Sequence, residues 1–396
     1  MRVKIIIGKN FGDEGKGLAA DYFAKEAEKS GMSCICVRHN GGAQAGHTVD
    51  LPDRRFVFSQ LSSASFLGFP TYWADSFMPD MYKLSEEIRG FKAVSGFIPD
   101  IYADKNCRCT YIDDILINML LETLRGDKRH GSCGMGINEA AVRSKTAPLY
   151  LGDIADMSAK QLFGVLESIR CEYMPRRLDE LSLSLDNAGE YGEMLRNRNI
   201  LYNAAETMCA AFKYVKIKNT DMLKKFDTVI FEGAQGLMLD ENNLEYAPNL
   251  TSSRTGLYEP ARLIKNLSPA DTEVIYISRS YVTRHGAGKL LYEDKFAPLA
   301  YNIFDKTNIT NKWQGELRFA AHGDSGEFAA PVKRDIAENP INAKISLMLT
   351  HLNETDYKII TKNKNIPAAE FIADREISGL FDKTYFSGSP FSSEIM

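Results

Sequence analysis

The 396-residue sequence predicts an α/β fold, a large central and mostly parallel sheet with helices on both faces. Three observations carry that prediction. Short apolar runs without polar alternation recur at 3–7, 34–38, 228–231, 273–277 and 346–349, the pattern of strands buried on both sides. Segments with helical spacing lie between them, at 80–92, 112–126 and across 156–222. Loops rich in glycine and other small residues follow the strands directly, where open α/β sheets gather their ligand-binding groups.

The first of these loops organises the rest. After the β-branched run 3–7, glycines 8, 12, 15 and 17 are interleaved with Asp13, Glu14 and Lys16. From Gly17 an Ala-rich segment with helical spacing begins. Strand, glycine-rich turn and helix together aim backbone N–H groups and a helix N-terminus at phosphate. The segment is not a Walker A loop: Asn10 stands at the first glycine and Gly17 replaces the magnesium-binding hydroxyl. A carboxylate inside the loop, Asp13, instead offers a group that binds a cation or takes a proton beside the phosphates.

The second strand, 34–38, runs into HNGGAQAGHTVD (39–50), whose small residues leave room for a ligand and present His47 beside Gly46. A lone histidine is more often structural than catalytic. Two small-residue loops, each following a buried strand and carrying one ionisable residue, make a stronger pair. A strand is expected at 55–60, then helices at 80–92 and 112–126. The segment 129–145 (RHGSCGMGINEAAVRSK) has Ser132, Cys133 and Arg143 and otherwise reads as a surface loop leading into a helix. The long helical stretch 156–222 shows no chemistry. Strand 228–231 delivers EGAQG (232–236), where Gln235 has both a donor and an acceptor for the edge of an amide-like ring. NLTSSRTG (249–256) supplies hydroxyls and an arginine suited to a phosphate or ribose. Beyond strand 273–277 come SRSYVTRHGAG (278–288), a polar loop at 307–324 with Trp313 and Arg318, and THLNETD (350–356).

Composition narrows the function classes. Hydrophobic content of 44% and charged content of 25% are those of an ordinary soluble globular protein. A net charge of −4 gives no electrostatic case for nucleic acid or an anionic membrane as partner. No run approaches the roughly 18 apolar residues of a membrane span, and no signal peptide is evident, so a cytoplasmic location is expected. The seven cysteines are scattered, with C-x-C pairs at 34/36 and 107/109, and read as reduced buried thiols. No repeat, linker or composition break divides the chain, so residues 1–396 are expected to form a single catalytic domain.

The motifs GDEGKG (12–17), GGAQAGHT (41–48), FEGAQG (231–236), TSSRTG (251–256) and TRHGAG (283–288) occur in this order, and together they resemble the adenylosuccinate synthetase family. Those ligases join L-aspartate to C6 of a 6-oxopurine nucleotide at the expense of a nucleoside triphosphate. The resemblance spans the chain from Gly8 to about residue 390 and implies that family's P-loop-like fold. It also implies roles. Asp13 matches the general base that takes the N1 proton and also ligates Mg²⁺. His47 matches the acid or hydrogen-bond donor at O6 and the γ-phosphate. The carbonyl of Gly46 matches a Mg²⁺ ligand. Gly12, Glu14, Gly15, Lys16, Gly17 and Thr48 match the groups that cradle the triphosphate, with Lys16 and Gln235 also placed in the catalytic set. Gln235 and Thr255 fall on positions that touch the base and the 5′-phosphate. Ser132 and Cys133 belong to the nucleotide site, with Cys133 where a threonine is usual, and Gln44 replaces an asparagine. Arg143 matches an arginine that reaches the nucleotide of a neighbouring subunit, which implies a homodimer. Arg318 matches one that grips the aspartate carboxylate. His351, Asn353, Ser387 and Gly388 fall in the part that reads the triphosphate's base.

The chain departs from the family pattern in two places. A run of arginines is replaced by WQGELRF, where only Arg318 remains. The guanine-reading T-K-L-D appears as Thr350, His351, Leu352 and Asn353. Asn353 carries its own NH₂ donor and can bond an adenine edge, so relaxed GTP preference or a switch to ATP is expected. These features are similar to a phage and archaeal branch that acts on (d)GMP, although phage members of that branch often lack the loop aspartate, which this chain keeps. The expectation therefore leans to IMP or another 6-oxopurine without a 2-amino group. The alternatives are the (d)GMP-using variant and a catalytically silent nucleotide-binding module.

Overall fold

The computed structural model describes residues 1–126, 132–301, 303 and 315–396, and among these nine strands form one parallel sheet. In chain order they are β1 (Arg2–Gly8), β2 (Cys34–Arg38), β3 (Thr71–Trp73), β4 (Ile101–Ala103), β5 (Val215–Ile217), β6 (Thr228–Gly236), β7 (Asp271–Arg279), β8 (Lys344–Thr350) and β9 (Lys383–Phe386). Across the sheet the order is β9-β8-β7-β1-β6-β2-β3-β4-β5. From β1 the chain works outward on one side through β2 to β5. It then returns to insert β6 beside β1 and continues through β7, β8 and β9 on the other side. The reversal falls at β1, and an open sheet of this kind leaves a crevice at the carboxyl ends of the strands on either side of such a point.

Burial explains why β1 is central. Val3, Ile5, Ile6 and Ile7 are all fully buried, as a strand covered on both faces requires. On one face Val3, Ile5 and Ile7 join Val229, Phe231, Val274, Tyr276, Leu347 and Leu349 under Phe328, Ala329 and Val332 of helix Ser325–Glu338. On the other, Ile6 joins Ile230, Ile275, Ile277 and Met348 under α1 (Lys16–Lys29), which contributes Ala19, Ala20, Phe23 and Ala24. The alanines of α1 bring its axis close to the sheet, which fixes where its N-terminus ends up. The outer strands β3 and β4 pack their own core around Trp73, Ile101 and Phe91 against α2 (Met81–Ser95) and helices Ala159–Glu172 and Arg198–Ala211.

The expected strands and the helices at 80–92 and 112–126 are present, the latter as α3 (Ile112–Arg125). Three expectations are corrected. The strand at 55–60 does not join the main sheet: Arg55–Phe58 pairs antiparallel with His47–Asp50, so His47 opens a hairpin strand rather than sitting in a loop. EGAQG is the last part of β6, not a loop after it. The helical stretch 156–222 is broken into Ala159–Glu172, Met174–Glu180, Gly189–Arg196 and Arg198–Ala211, and then ends in β5. Capping by Ser158 with Gln161 and by Asn197, and a proline at the start of the second helix, set those breaks. Cys34, Cys36, Cys107 and Cys109 are buried free thiols as expected, but Cys171 is exposed. Among the described residues no helix is long and apolar enough to cross a membrane.

His39, directly after β2, is fully buried with its ring edge-on to Phe231, and neither ring nitrogen has a hydrogen-bond partner. Burial, helped by the Arg38 charge, pushes it down to about 3. In the unfolded chain the ring binds a proton below pH ~6.5 while the folded ring stays neutral, so His39 costs stability as pH falls through that range. In His39→Phe this penalty is absent. The loss of unfolding free energy between pH 7 and pH 5 should therefore be smaller in the variant by about 2 kcal/mol, measured by denaturant titration at both pH values.

Candidate functional site

The loops at the carboxyl ends of the central strands enclose a cleft of about 1090 Å³. It is lined from Phe11 through Leu18, from Gln44 through Thr48, and by Gln235, Arg279, His351, Asn353 and Ser387. These residues follow β1, β2, β7, β8 and β9 or end β6, so sheet topology alone gathers them. A cleft of this size accommodates more than one drug-sized ligand.

Close backbone approach makes the cleft possible. A Cβ on Gly8 would lie 2.3 Å from Glu14 Oε2 and 2.5 Å from the Gln235 carbonyl. One on Gly236 would lie 2.4 Å from the Asn10 carbonyl, so β6 and the first loop touch main chain to main chain. Gly17, in the first turn of α1, faces the start of the hairpin: a Cβ there would lie 2.9 Å from the Thr48 carbonyl and 3.1 Å from His47 Cβ. Glycine at these points lets three loops converge. Three non-glycine residues in the cleft hold positive φ: Asp13 at 58°, Gln235 at 58° and His351 at 57°. Such conformations cost of order 1 kcal/mol or more each and concentrate at functional positions.

The first loop bends through Gly12 (φ 110°), Asp13 and Gly15 (φ 97°) and delivers α1 with no side-chain cap and no acidic residue in its first turn. Its open N–H groups are therefore available to an anion. Lys16 is buried beside Glu14, Nζ 3.5 Å from Oε2. Glu14 accepts from the Asn10 N–H at 2.5 Å, and Thr350 donates to the Glu14 carbonyl at 2.8 Å, so Glu14 braces the loop from inside. Burial raises the Glu14 carboxyl above its ordinary value, against the pull of Lys16. Asp13 faces the cleft with its side chain 29% exposed, and its Oδ2 lies 3.1 Å from His285 Nε2. Burial opposes ionisation there, but the His285 hydrogen bond and the Arg279 and Lys16 charges hold the carboxyl below the usual range.

His47 enters the cleft from the hairpin with Nδ1 2.6 Å from Glu232 Oε1. Glu232 is fully buried in β6 and also accepts from the Ser63 N–H at 3.1 Å and the Ser63 hydroxyl. Burial and the Arg38 charge push His47 down to about 4. Burial also works against ionisation of Glu232, but His47, Arg38 and Ser63 hold it at about 2. The ring is thus neutral at pH 7, with Nδ1–H donating to an ionised carboxylate and Nε2 left for a ligand. Protonation at Nε2, which a neighbouring anion would favour, would leave an imidazolium already paired to Glu232.

Asp13, His47, Lys16, Gln235, Gly12, Glu14, Gly15, Gly17, Gly46, Thr48, Gln44, Ser132, Cys133, His351, Asn353 and Ser387 all line this one cleft. Thr255, Gly388, Arg143 and Arg318 do not. Thr255 is buried, its N–H donating to Asp240 at 2.7 Å. Gly388 packs on Tyr357, where a Cβ would lie 2.1 Å from the hydroxyl. Arg143, on α4 (Ile137–Arg143), is fully buried and spends its donors on Asp114 and on the carbonyls of Ala147 and Cys109. Arg318 pairs with Glu293 and donates to the carbonyls of Gly286 and Gly288, bracing that loop instead of entering the cleft. Trp313 lies outside the described residues. Sequence reasoning missed Glu232, Arg279 and His285. Their signal was present, since each lies within or beside a quoted motif, but only the fold shows Glu232 beneath His47 and His285 against Asp13. Among the described residues no group of three or more His, Cys, Asp or Glu is placed to hold a metal. The lone ionised Asp13 beside a phosphate-type loop still suits Mg²⁺, which commonly takes one or two carboxylates and completes its shell with substrate phosphates and water.

The family model described as adenylosuccinate synthetase matches residues 5–314. Among curated relatives, the adenylosuccinate synthetase of Finegoldia magna is 26% identical over 357 residues, 86% of this chain and 80% of that protein. That of Wolbachia sp. (strain wRi) is 28% identical over 301 residues, 74% of this chain and 65% of that protein. The Plasmodium falciparum adenylosuccinate synthetase, solved fully ligated, superposes with a TM-score of 0.68 at 18% identity, covering 99% of both chains. The cyanophage S-2L succinoaminodeoxyadenylate synthetase, solved with dGMP and dATP, gives 0.62 at 17% identity, covering 100% of this chain and 95% of that one. At such identities these two likenesses concern the fold.

Gly17 provides a test of the loop convergence. An alanine in a helical turn usually stabilises, but here its Cβ would press on the Thr48 carbonyl, which is backbone and cannot swing aside. Gly17→Ala should cost about 1–3 kcal/mol in denaturant unfolding instead of stabilising the chain.

Proposed function

Because the chain belongs to the adenylosuccinate synthetase family, we propose that it is a ligase joining L-aspartate to C6 of a 6-oxopurine nucleotide, driven by GTP or ATP hydrolysis. The observation that carries this reading is that Asp13 and His47 open onto the same cleft as the uncapped start of α1. In the proposed sequence Asp13 takes the purine N1 proton and O6 attacks the γ-phosphorus. The bond from that phosphorus to the β–γ bridging oxygen breaks, and the nucleoside diphosphate leaves. The aspartate amine then adds at C6, and the phosphate formed on O6 departs with its oxygen. His47, paired to Glu232, steadies negative charge growing on O6 and the transferred phosphoryl group, a donor role that requires its imidazolium form. Lys16 and the first N–H groups of α1 hold the triphosphate. Asp13 and the Gly46 carbonyl would hold Mg²⁺, which neutralises phosphate charge when bound.

The retained Asp13 supports a purine without a 2-amino group, because phage members of the (d)GMP-using branch often lack this loop aspartate, which makes room for that group. Asn353 and His351 in the cleft support relaxed triphosphate choice, because the asparagine amide offers a donor where a carboxylate would only accept. A homodimer, which the resemblance of Arg143 implies, belongs to the same proposal. Sedimentation at working concentration would test it.

Product mass spectrometry across IMP, dIMP, GMP and dGMP, with ATP and GTP and with and without aspartate, tests the reading. The expected outcome is a succinyl-purine product from an IMP-type nucleotide, with phosphate release dependent on aspartate. Aspartate-independent release would mark a sensor or NTPase instead. Asp13→Ala should abolish turnover with the unfolding midpoint preserved, since a cleft carboxylate holds no core together. His47→Asn should slow the chemical step by roughly 10²-fold or more, as seen in single turnover.

A further inference from the structure

A second cavity, of about 290 Å³, lies behind the first loop and shares only Phe11 with the lining of the catalytic cleft. Its walls come from Lys9 to Phe11, from 237–246, from Leu290 to Tyr292 and from helix Ser325–Glu338. Most of that surface is apolar, with Phe328, Tyr246, Met238 and Pro331 prominent. Three basic and five acidic side chains also line it, and of the three basic ones Lys9 alone is buried. Its side chain is 2% exposed, yet among the described residues its ammonium donates a hydrogen bond only to Asn10 Oδ1, at 3.0 Å, and otherwise sits 3.9 Å above the Phe328 ring. An ammonium carries three donors, and here one protein acceptor and one ring face meet them.

Among the described residues no carboxylate answers this charge at contact. Glu14, the acid whose charge acts on Lys9, is committed to the Asn10 N–H and faces Lys16. Five carboxylates line the cavity, and four are bound elsewhere: Asp240 to Arg254, Glu245 to Lys289, Glu327 to Lys362, and Asp335 to the Leu257 N–H and the Tyr276 hydroxyl, while the fifth, Glu338, is exposed at the rim. His322 on the same wall donates from Nε2 to the Arg279 carbonyl at 2.9 Å, so it offers Lys9 no negative charge. A buried cation without a partner is costly, and a chain retains one where something supplies the missing charge. The cavity is wide enough for one ring and a short substituent, and its apolar walls surround one deeply buried cation, the other charged groups lying toward the exposed rim or already hydrogen-bonded, a composition that suits a small-molecule site.

We propose that this cavity binds a small organic carboxylate with a flat apolar body, its carboxylate held by the Lys9 ammonium and its body by Phe328 and Tyr246. The site is distinct from the ligase cleft and does not depend on that activity. Burial holds the empty-site lysine down to about 7, and a bound carboxylate would restore its full charge.

The test uses the full chain and benzoate as probe, with benzamide as the uncharged isostere, followed by isothermal titration in the millimolar range. Benzoate should bind and raise the melting temperature, and benzamide should bind at least roughly ten-fold more weakly, the worth of a charge-assisted contact. Lys9→Met should lose the preference for benzoate while keeping nucleotide binding. Should that variant fail to fold, Ala330→Trp, placed at the exposed mouth of the cavity, should remove benzoate binding with the fold unchanged. Absence of benzoate binding, equal binding of benzamide, wild-type binding by either folded variant, or displacement of benzoate by IMP from the main cleft would each overturn the proposal.

Discussion

The structure depends on the contact between β1, β6 and the first glycine-rich loop, where main chain meets main chain with no side chain between. Gly8 and Gly236 allow the loop to lie on the end of β6, and Gly17 allows the hairpin that carries His47 to lie on α1. Hydrophobic burial on both faces of β1 supplies the free energy that keeps this arrangement closed. The positive φ values at Asp13, Gln235 and His351 are the local cost of that convergence, offset by the packing below them. A carboxylate in the loop after β1 and an imidazole on a neighbouring hairpin are thereby brought to one cleft.

Electrostatics in the cleft follow from burial more than from net charge. His47 is neutral because desolvation and Arg38 outweigh a carboxylate 2.6 Å away. Glu232 stays ionised in a fully buried position because His47, Arg38 and Ser63 all favour its charge. That pair is poised: an anion arriving at Nε2 tips the ring toward imidazolium without moving any side chain. Asp13 shows the opposite balance, a carboxylate kept ionised at a partly open site by His285, Arg279 and Lys16. Two groups with separated proton affinities on one cleft are what an acid–base division of labour needs.

Lys9 and Asp13 stand four residues apart and serve different spaces. The loop turns sharply enough at Gly12 that the residues before it face the cavity under helix Ser325–Glu338, while those after it face the cleft. Asn10 ties the two, its N–H to Glu14 and its side chain to Ser278 at the end of β7.

Residue pattern alone determined the strands of the sheet's centre and the loop-to-helix start at Gly17, and through the family resemblance it carries, it named part of the cleft lining. Each of these is written in contiguous sequence: β-branched runs buried on both faces, glycines at required bends, ionisable residues between them. The three-residue strands β3, β4 and β5 escaped because runs that short carry no period. Only tertiary structure placed Glu232 under His47 and His285 on Asp13, across separations of 185 and 272 positions. It also placed Arg318 outside the cleft by giving its donors internal acceptors. A motif specifies which groups are available, but hydrogen-bond partners and desolvation are set by neighbours distant in the chain, so charge state and direction are decided by the fold.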